Sequence, residues 1–267
     1  MKIIGHRGFR GLYPENTLIA FIEAVKLGVD AIELDVVMSG DGKIVVSHEP
    51  FMSQITCLKP NGKELKESED QQFNLYQMSY DEIKQFDCGL KDNFKFPNQK
   101  SVASYKPLLS EVIDICDSYA KSVKSEIEYI IEIKSDSELY DTFYPNPPKY
   151  VEAIFKTLNA YSIYERVVLK SFDVAILNEI KIQRPSQKVS LLINRDESIE
   201  DKLKRLDFTP EILGVYFELL SEDVVEHYKN KGFLINAWTV NATKRIQEII
   251  ALNIDGVITD YPDRLLK

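Results

Sequence analysis

Carboxylates and a lysine occur at two-residue spacing in two otherwise apolar segments. Glu33 and Asp35 are separated by one residue, as are Glu132 and Lys134. Alternate side chains of a β-strand point to the same face, so each pair would share one face of its strand. Carboxylates that converge in this way raise one another's pKa values unless a cation joins them. All the candidate ligand atoms are carboxylate oxygens, which predicts a site for one divalent cation, Mg²⁺ or Ca²⁺. The alternative is a plain network of ion pairs with Lys134 and Arg7.

Two of the three histidines are predicted to lie beside these carboxylates. His6 follows an apolar run at the start of the chain, and His48 follows a predicted hairpin. The hairpin is indicated by the pair Asp41 and Gly42 between two apolar runs. If these two residues form the turn, His48 lies opposite Asp35; a turn of another length would shift the pairing by a residue or two. Two histidines at one site can divide the proton transfers, one accepting and the other donating.

Cationic side chains near the same strand ends indicate an anionic substrate. Arg7 follows His6 directly, and Lys134 belongs to the second polar pair. Because Arg binds phosphate oxygens in a bidentate manner, a phosphate ester suits this set of residues best. General acid-base catalysis contributes about 10²–10⁴-fold, which falls short of what phosphoester cleavage requires. The metal ion and the two cations must therefore stabilise much of the charge in the transition state.

Apolar runs alternate with amphipathic segments along the chain. Eight runs rich in β-branched residues are predicted strands: Ile3-Ile4, Ala31 to Val37, Tyr129 to Ile133, Val167 to Leu169, Val189 to Ile193, Leu213 to Phe217, Phe233 to Ala237 and Gly256 to Ile258. Eight such units predict an α/β fold, a TIM (β/α)8 barrel, with its active site at the C-terminal ends of the strands. An open doubly wound sheet is the alternative, but the sequence has no G-x-G-x-x-G turn of the nucleotide-binding kind.

Helix ends are marked by glycine and serine. Gly28 and Gly232 follow amphipathic stretches and are predicted C-terminal caps, and Ser221 is a predicted N-terminal cap. The third histidine, His227, lies near the C-terminus of the helix that Ser221 begins, where a cation is mildly favoured. We therefore assign His227 no chemical role.

One segment interrupts the alternation. Residues 51–107 contain a polar, charged stretch and a short helix candidate near Ser79 to Phe86, but no clear barrel strand. Loops of this length in compact domains are usually functional or carry structure of their own. The sequence therefore predicts a single barrel domain over residues 1–267, with residues 51–107 as a small insertion on the loop after the second strand.

Charge and hydropathy exclude several kinds of partner. The 33 Lys and Arg against 42 Asp and Glu give a net charge of −9, which argues against nucleic acid and anionic membrane surfaces. No stretch approaches about 18 consecutive apolar residues, so stable membrane insertion is not expected. The chain as written predicts a cytoplasmic protein, or a periplasmic or secreted one if a leader was removed. The oligomeric state is left open.

Motifs of competing chemistries are absent from the sequence. A two-zinc amidohydrolase would need more histidines, typically including an H-x-H pair, and there is neither a G-x-S-x-G elbow nor a phosphate-binding P-loop. The three cysteines, Cys57, Cys88 and Cys116, contain no C-x-x-C pair that would indicate zinc or redox chemistry. They are interpreted as buried or idle thiols.

Taken together, the motifs resemble those of the glycerophosphodiester phosphodiesterase family over nearly the whole chain. The matching segments are Gly5-His6-Arg7-Gly8, Pro14-Glu15-Asn16-Thr17, Glu33-Leu34-Asp35, Ser47-His48, Glu132-Ile133-Lys134, Ser171-Phe172, Ala237-Trp238-Thr239-Val240-Asn241 and the run from Asp255 to Pro262. Members of this family are TIM barrels with an insertion after the second strand, which agrees with the interruption at residues 51–107.

The resemblance implies a role for each candidate site residue. The implied sets are an acid-base pair, His6 and His48; three ligands of one divalent cation, Glu33, Asp35 and Glu132; and two phosphate contacts, Arg7 and Lys134. Two further residues have alternatives. Asn16 supports the site or caps the helix that follows it, and Trp238 forms a wall of the glycerol pocket or is a buried aromatic at the barrel end.

The reaction that the resemblance implies is metal-dependent cleavage of a glycerophosphodiester, a small-molecule substrate, to glycerol 3-phosphate and an alcohol. Either water attacks directly or a glycerol hydroxyl attacks first to give a cyclic phosphate. The nearest alternative is a phospholipase D-like barrel that acts on lysophospholipids or sphingolipids and would need a lipid-facing rim. A second alternative is a non-catalytic barrel that binds a polyol phosphate.

Overall fold

Eight parallel strands close into a barrel in the computed structural model, which describes residues 1–123 and 125–266. The strands are β1 (Lys2–Gly5), β2 (Ala31–Met38), β4 (Glu128–Ile133), β5 (Val167–Ser171), β6 (Val189–Ile193), β7 (Ile212–Tyr216), β8 (Leu234–Trp238) and β9 (Gly256–Thr259). Closure comes from β1, which pairs with both β2 and β9. Because every predicted run lies on one of these strands to within a residue, the prediction of a TIM barrel is confirmed.

Helices follow the strands as right-handed crossovers require. Their bounds are α1 (Leu18–Leu27), α2 (Tyr80–Ile83), α3 (Leu109–Ser122), α4 (Pro147–Asn159), α5 (Val174–Gln183), α6 (Ile199–Leu203), α7 (Glu222–Asn230) and α8 (Thr243–Ala251). Gly28 ends α1 in the left-handed conformation that glycine adopts most easily (φ 92°), and the Ser221 side chain caps α7, as predicted. None of the helices in the described ranges has the length and apolar composition needed to cross a membrane.

Alternate residues of the strands fill the barrel interior in layers. One layer is apolar and consists of Ile4, Ala31, Ile130, Val168, Ile212 and Ile258. Two residues further along five of these segments are His6, Glu33, Glu132, Lys170 and Asp260, all buried. The two-residue period of a strand therefore places a polar layer above the apolar one, toward the C-terminal ends of the strands.

The hairpin after β2 differs from the prediction by one residue. Strand β3 (Ile44–Val46) runs antiparallel to β2, and Val36 pairs with Val46. The turn comprises three residues, 40–42, because the Ser39 amide donates to the Lys43 carbonyl (2.9 Å). The predicted two-residue turn is therefore wrong, and Ser47 rather than His48 lies opposite Asp35.

A disulfide joins Cys57 to Cys88 within the segment between β3 and α3, so the interpretation of these two residues as free thiols is wrong. The bridge pair Leu58 and Asp87 brings the two cysteines together, and their Cα atoms are 4.0 Å apart. A spacing of 31 residues without C-x-x-C carries no signal of this contact in the sequence. Cys116 is a buried free thiol, as predicted, and burial raises its pKa to about 12.

The disulfide is expected to stabilise the fold. Closing a loop of this size in the unfolded chain corresponds to about 3–4 kcal/mol in the chain-entropy model. The double variant C57S/C88S should lose a free energy of unfolding of that order, measured by urea denaturation. As a control, dithiothreitol should destabilise the wild-type protein to the same extent and leave the variant unchanged. A wild-type midpoint that dithiothreitol does not move would contradict a stabilising bridge.

Candidate active site

His6 stands at the end of β1 and is held by a carboxylate from the end of β9. Its Nδ1 lies 2.7 Å from Oδ1 of Asp260, and its Nε2 lies 3.9 Å from Oε2 of Glu33. Burial alone would raise the pKa of Asp260, but His6 and Arg10 outweigh burial and keep the pKa below its usual range. An ionised carboxylate only accepts hydrogen bonds, so Nδ1 of His6 carries the hydrogen and Nε2 faces the candidate metal ligands.

The three predicted metal ligands converge. One ligand oxygen from each of Glu33, Asp35 and Glu132 lies within 4.8 Å of the others, and all three residues are buried. Burial alone would raise the pKa of Asp35, but Arg7, His48 and Lys134 outweigh burial and hold it well below its usual range. Asp35 therefore offers an ionised oxygen ligand, and the three carboxylates together are of the kind that Mg²⁺ and Ca²⁺ prefer.

Each carboxylate of the cluster also has a cation beside it. The pairs are Arg7 Nε with Asp35 Oδ2 (3.2 Å), Lys134 Nζ with Glu132 Oε1 (2.7 Å) and Lys170 Nζ with Glu33 Oε1 (2.7 Å). Despite its proximity to Lys170, Oε1 of Glu33 receives no hydrogen bond of good geometry from the described residues. A buried oxygen with unused lone pairs fits coordination of an added cation, so the donor set agrees with a divalent ion. The ion pairs of the alternative interpretation are present as well. Measuring activity after metal is removed would distinguish a metal site from a plain network of ion pairs.

His48 reaches the same site from the segment that follows β3. Its Nε2 lies 3.2 Å from Nζ of Lys134, and its Nδ1 lies 2.7 Å from Oε1 of Glu49. The hydrogen bond with His48 is the main cause that holds the pKa of Glu49 below its usual range. The one-residue shift of the hairpin thus leaves His48 beside the carboxylates, with its Nδ1 occupied in the same way as that of His6.

Arg7 is locked in place by acidic partners. Its Nη1 donates to Oε1 of Glu15 (2.7 Å), and its backbone amide donates to Oε2 of Glu33 (2.9 Å). Burial alone would raise the pKa of Glu15, but Arg7 and Arg10 together lower it to about 2. Glu15 therefore stays ionised near neutral pH and fixes the guanidinium against the candidate metal ligands.

Asn16 forms hydrogen bonds with Asp35 and does not cap α1. Its Nδ2 donates to Oδ2 of Asp35 (2.9 Å), and the Asp35 amide donates back to Oδ1 of Asn16 (3.3 Å). The helix is capped by Thr17, whose side chain accepts a hydrogen bond from the Ala20 amide. Asn16 adopts a positive φ of 56°, a conformation that asparagine tolerates better than most residues. The helix-cap alternative for Asn16 is therefore wrong.

Trp238 stands at the end of β8 in an aromatic cluster. Its ring centroid is 5.5 Å from that of Phe172 and 5.7 Å from that of Tyr216, and its Nε1 donates to the Gly214 carbonyl (2.8 Å). No hydrogen bond joins Trp238 to the histidines or carboxylates within the described ranges. The side chain is partly exposed, so it can form a wall of the site without belonging to the charged network.

Sequence reasoning assigned no role to two residues that the structure places in the polar layer. Asp260 contacts His6, and Lys170 lies between Glu33 and Glu132, 2.7 Å and 3.3 Å from their oxygens. A signal for both existed. Each follows a β-branched inward residue by two positions, so extending the period-two pattern by one step would have found them.

The comparisons with known proteins agree with this geometry. Residues 6–264 match the model of the Glycerophosphoryl diester phosphodiesterase family. A glycerophosphodiester phosphodiesterase of Caldanaerobacter subterraneus subsp. tengcongensis is 31% identical over 99% of this chain and 96% of its own length. The structure of a candidate glycerophosphoryl diester phosphodiesterase from Silicibacter pomeroyi superposes with a TM-score of 0.88 at 29% identity, covering 99% of this chain and 91% of that one.

A further structure shares the fold at lower identity. A phosphodiesterase of Oleispira antarctica, solved in complex with the product sn-glycerol-3-phosphate, has a TM-score of 0.78 at 23% identity and covers 99% of this chain and 95% of that one. The family match spans both histidines and all three clustered carboxylates. The resemblance seen in the sequence is thereby confirmed, and the chain belongs to the glycerophosphoryl diester phosphodiesterase family.

Proposed function

We propose that this protein is a metal-dependent phosphodiesterase that cleaves glycerophosphodiesters to glycerol 3-phosphate and an alcohol. The observation that carries the proposal is the pairing of two carboxylate-held histidines, His6 and His48, beside a buried three-carboxylate cluster. Family membership and the relative named as a glycerophosphodiester phosphodiesterase support the same reaction. The Oleispira antarctica structure, which contains sn-glycerol-3-phosphate, supports the identity of the product.

The two histidines form the acid-base pair. Each has its Nδ1 within hydrogen-bond distance of a carboxylate, so each presents Nε2 to the site. A neutral imidazole with hydrogen on Nδ1 accepts a proton at Nε2, and a protonated one donates from the same atom. One histidine deprotonates the attacking hydroxyl or water while the other protonates the leaving alcohol.

Cations of the chain bind the phosphate. Arg7 and Lys134 lie beside the carboxylate cluster, and Lys134 also lies next to His48. Burial alone would lower the pKa of Lys134, but Glu132 and Asp35 outweigh burial and raise it, so the ammonium is charged near neutral pH. Glu33, Asp35 and Glu132 would hold the divalent ion, Mg²⁺ or Ca²⁺. That ion would supply positive charge beside the phosphoryl oxygens when bound.

The remaining assignments extend this proposal. Trp238 walls the glycerol side of the site, supported by the aromatic cluster around it. Residues 1–267 form a single barrel domain with residues 51–107 as its insertion.

The Cys57–Cys88 disulfide favours an oxidising compartment, the periplasm or the exterior, over the cytoplasm.

The first experiment is glycerol 3-phosphate release from glycerophosphocholine, glycerophosphoethanolamine and glycerophosphoinositol. EDTA should reduce the rate by about 10²-fold or more, and either Mg²⁺ or Ca²⁺ should restore it, because the ion supplies several kcal/mol of charge stabilisation. If the carboxylates only form ion pairs, EDTA will leave the rate intact. Absence of release with either ion would refute the proposed function.

A second candidate function is phospholipase D-like cleavage of lysophospholipids. The segment between β3 and α3 exposes Ile55, Leu90 and Phe94, and the side chain of Ile55 borders the cavity next to His48. Exposed apolar residues at the entrance could contact an acyl chain. Release of lysophosphatidic acid from lysophosphatidylcholine, without glycerol 3-phosphate release from the water-soluble substrates, would favour this candidate.

A further inference from the structure

A cavity of about 230 Å³ lies between the barrel and the segment from β3 to α3. Arg7 and His48 line it, so the cavity adjoins the residues assigned to the phosphate and to proton transfer. Ser53, Asn93 and Lys106 of the segment from β3 to α3 line it as well. Its volume is below the roughly 300–1,000 Å³ of sites for drug-sized ligands, and it therefore suits a small polar group.

Most charged groups of this cavity are already paired with one another. Glu15 accepts a hydrogen bond from Arg7 and forms a salt bridge with Arg10, and Glu49 pairs with His48. Lys106 differs from them, because within the described residues its one hydrogen bond goes to Oγ of a neutral residue, Ser47 (2.8 Å). An ammonium has three donors, so two donors of Lys106 are unused.

Lys106 is only 9% exposed, so its unpaired ammonium has lost most of its contact with water. Burial lowers the pKa of Lys106 to about 8, although Glu15, Glu49 and Asp35 act in the opposite direction. A buried ammonium that forms no salt bridge among the described residues is satisfied best by an anion that enters the cavity. The side chain thus has the properties of a ligand contact.

The two sides of the site differ in chemistry. Trp238, Phe172 and Tyr216 form the aromatic side, which we assigned to glycerol. The cavity with Lys106 adjoins Arg7 after β1 and His48 after β3, and in the strand order β1 and β2 lie across the barrel from β6 and β7. In a glycerophosphodiester the phosphate separates glycerol from the alcohol, so the group beyond the phosphate on the Lys106 side is the alcohol that leaves.

We propose that Lys106 binds an anionic group carried by the leaving alcohol, so the preferred substrates are glycerophosphodiesters whose head group bears a carboxylate or a second phosphate. This inference rests on the proposed function. It names the substrate class, and it makes Lys106 a specificity residue that takes no part in proton transfer.

Glycerophosphoserine and glycerophosphoethanolamine form a matched pair for the test, because they differ only by the carboxylate. We expect kcat/KM of the wild-type enzyme to be at least tenfold higher for glycerophosphoserine, since a charge-assisted hydrogen bond to a buried ammonium is among the stronger polar contacts. Lys106→Met and Lys106→Gln should each abolish this preference, and Lys106→Arg should retain most of it. Lys244→Met, on the exposed face of α8, is the control that leaves the ratio unchanged.

The variants also separate specificity from support of the segment that carries His48. Gln can still donate to Ser47, so a role through Ser47 would spare Lys106→Gln and would lower kcat for both substrates in Lys106→Met. Loss of rate in equal proportion for both substrates overturns the inference. Equal kcat/KM values in the wild-type enzyme overturn it without any variant and leave the proposed function standing. If the wild-type enzyme hydrolyses neither substrate with Mg²⁺ or Ca²⁺, both proposals fail.

Discussion

Replacing either His6 or His48 with alanine is expected to lower kcat/KM for glycerophosphodiesters by about 10²–10⁴-fold, the usual contribution of one acid-base group. Each imidazole is held through Nδ1 by a carboxylate, so removing the ring removes an Nε2 that no other described side chain supplies at the same place. The measurement is steady-state hydrolysis in the presence of the ion that supports wild-type activity.

The third histidine provides the control for this prediction. His227 lies on α7, is exposed, and packs against the ring of its neighbour Tyr228. His227→Ala should therefore keep the wild-type rate. The His6 and His48 variants should retain the wild-type circular dichroism spectrum and a cooperative thermal transition. If either variant is folded and fully active, the assignment of that histidine is wrong.

The strand pattern allowed most of the site to be predicted. The period of two in Glu33 and Asp35, and again in Glu132 and Lys134, indicated their inward direction without any knowledge of distance. The closed barrel then brings the two pairs together, because β2 and β4 are neighbours in the sheet with Asp35 opposite Glu132. In a regular strand the position in the sequence determines which face a side chain points to. For this reason the inward direction of these four residues could be predicted from the sequence.

The errors occurred where irregular backbone decides the outcome. The turn after β2 has three residues in place of two, and its length depends on the Ser39 and Lys43 hydrogen bond, which the Asp41-Gly42 pair does not specify. The disulfide depends on how the chain folds back between Leu58 and Asp87, a contact between residues distant in sequence. Such contacts follow from tertiary packing and leave no periodic trace in the sequence.

Asp260 was missed for a different reason. It stands one residue beyond β9, where the strand pattern ends, and a single acid before Tyr261 resembles a turn residue. The period-two pattern predicts its inward direction, but its contact with His6 follows only from the pairing of β9 with β1. In the proposed reaction Asp260 would be a positioning residue, since it contacts His6 and would act on the substrate only through that ring.

Asp260→Asn is expected to lower kcat by about 10³-fold with little change in KM. The amide can donate to Nδ1 of His6, which would place the imidazole hydrogen on Nε2 and block that atom as a proton acceptor. An equivalent change in a serine protease triad lowers kcat by about 10⁴-fold. Asn241 donates to Oδ2 of Asp260 (2.7 Å), so the Asp260→Asn side chain should keep its oxygen at that position and turn its NH2 group toward His6.

Two further variants decide whether Asp260 orients the histidine or merely stabilises the barrel end. Asp260→Glu keeps the ionised acceptor and should recover part of kcat, whereas a purely structural role would make the larger side chain worse than Asn. Asp263→Asn removes an exposed acid three residues away and should keep the wild-type rate. A fall in kcat for Asp260→Asn that is matched by a fall in melting temperature and is not relieved by Asp260→Glu would show that the carboxylate holds the fold. If kcat of Asp260→Asn falls at an unchanged melting temperature and Asp260→Glu recovers part of it, the charge and acceptor geometry at Nδ1 of His6 determine the rate.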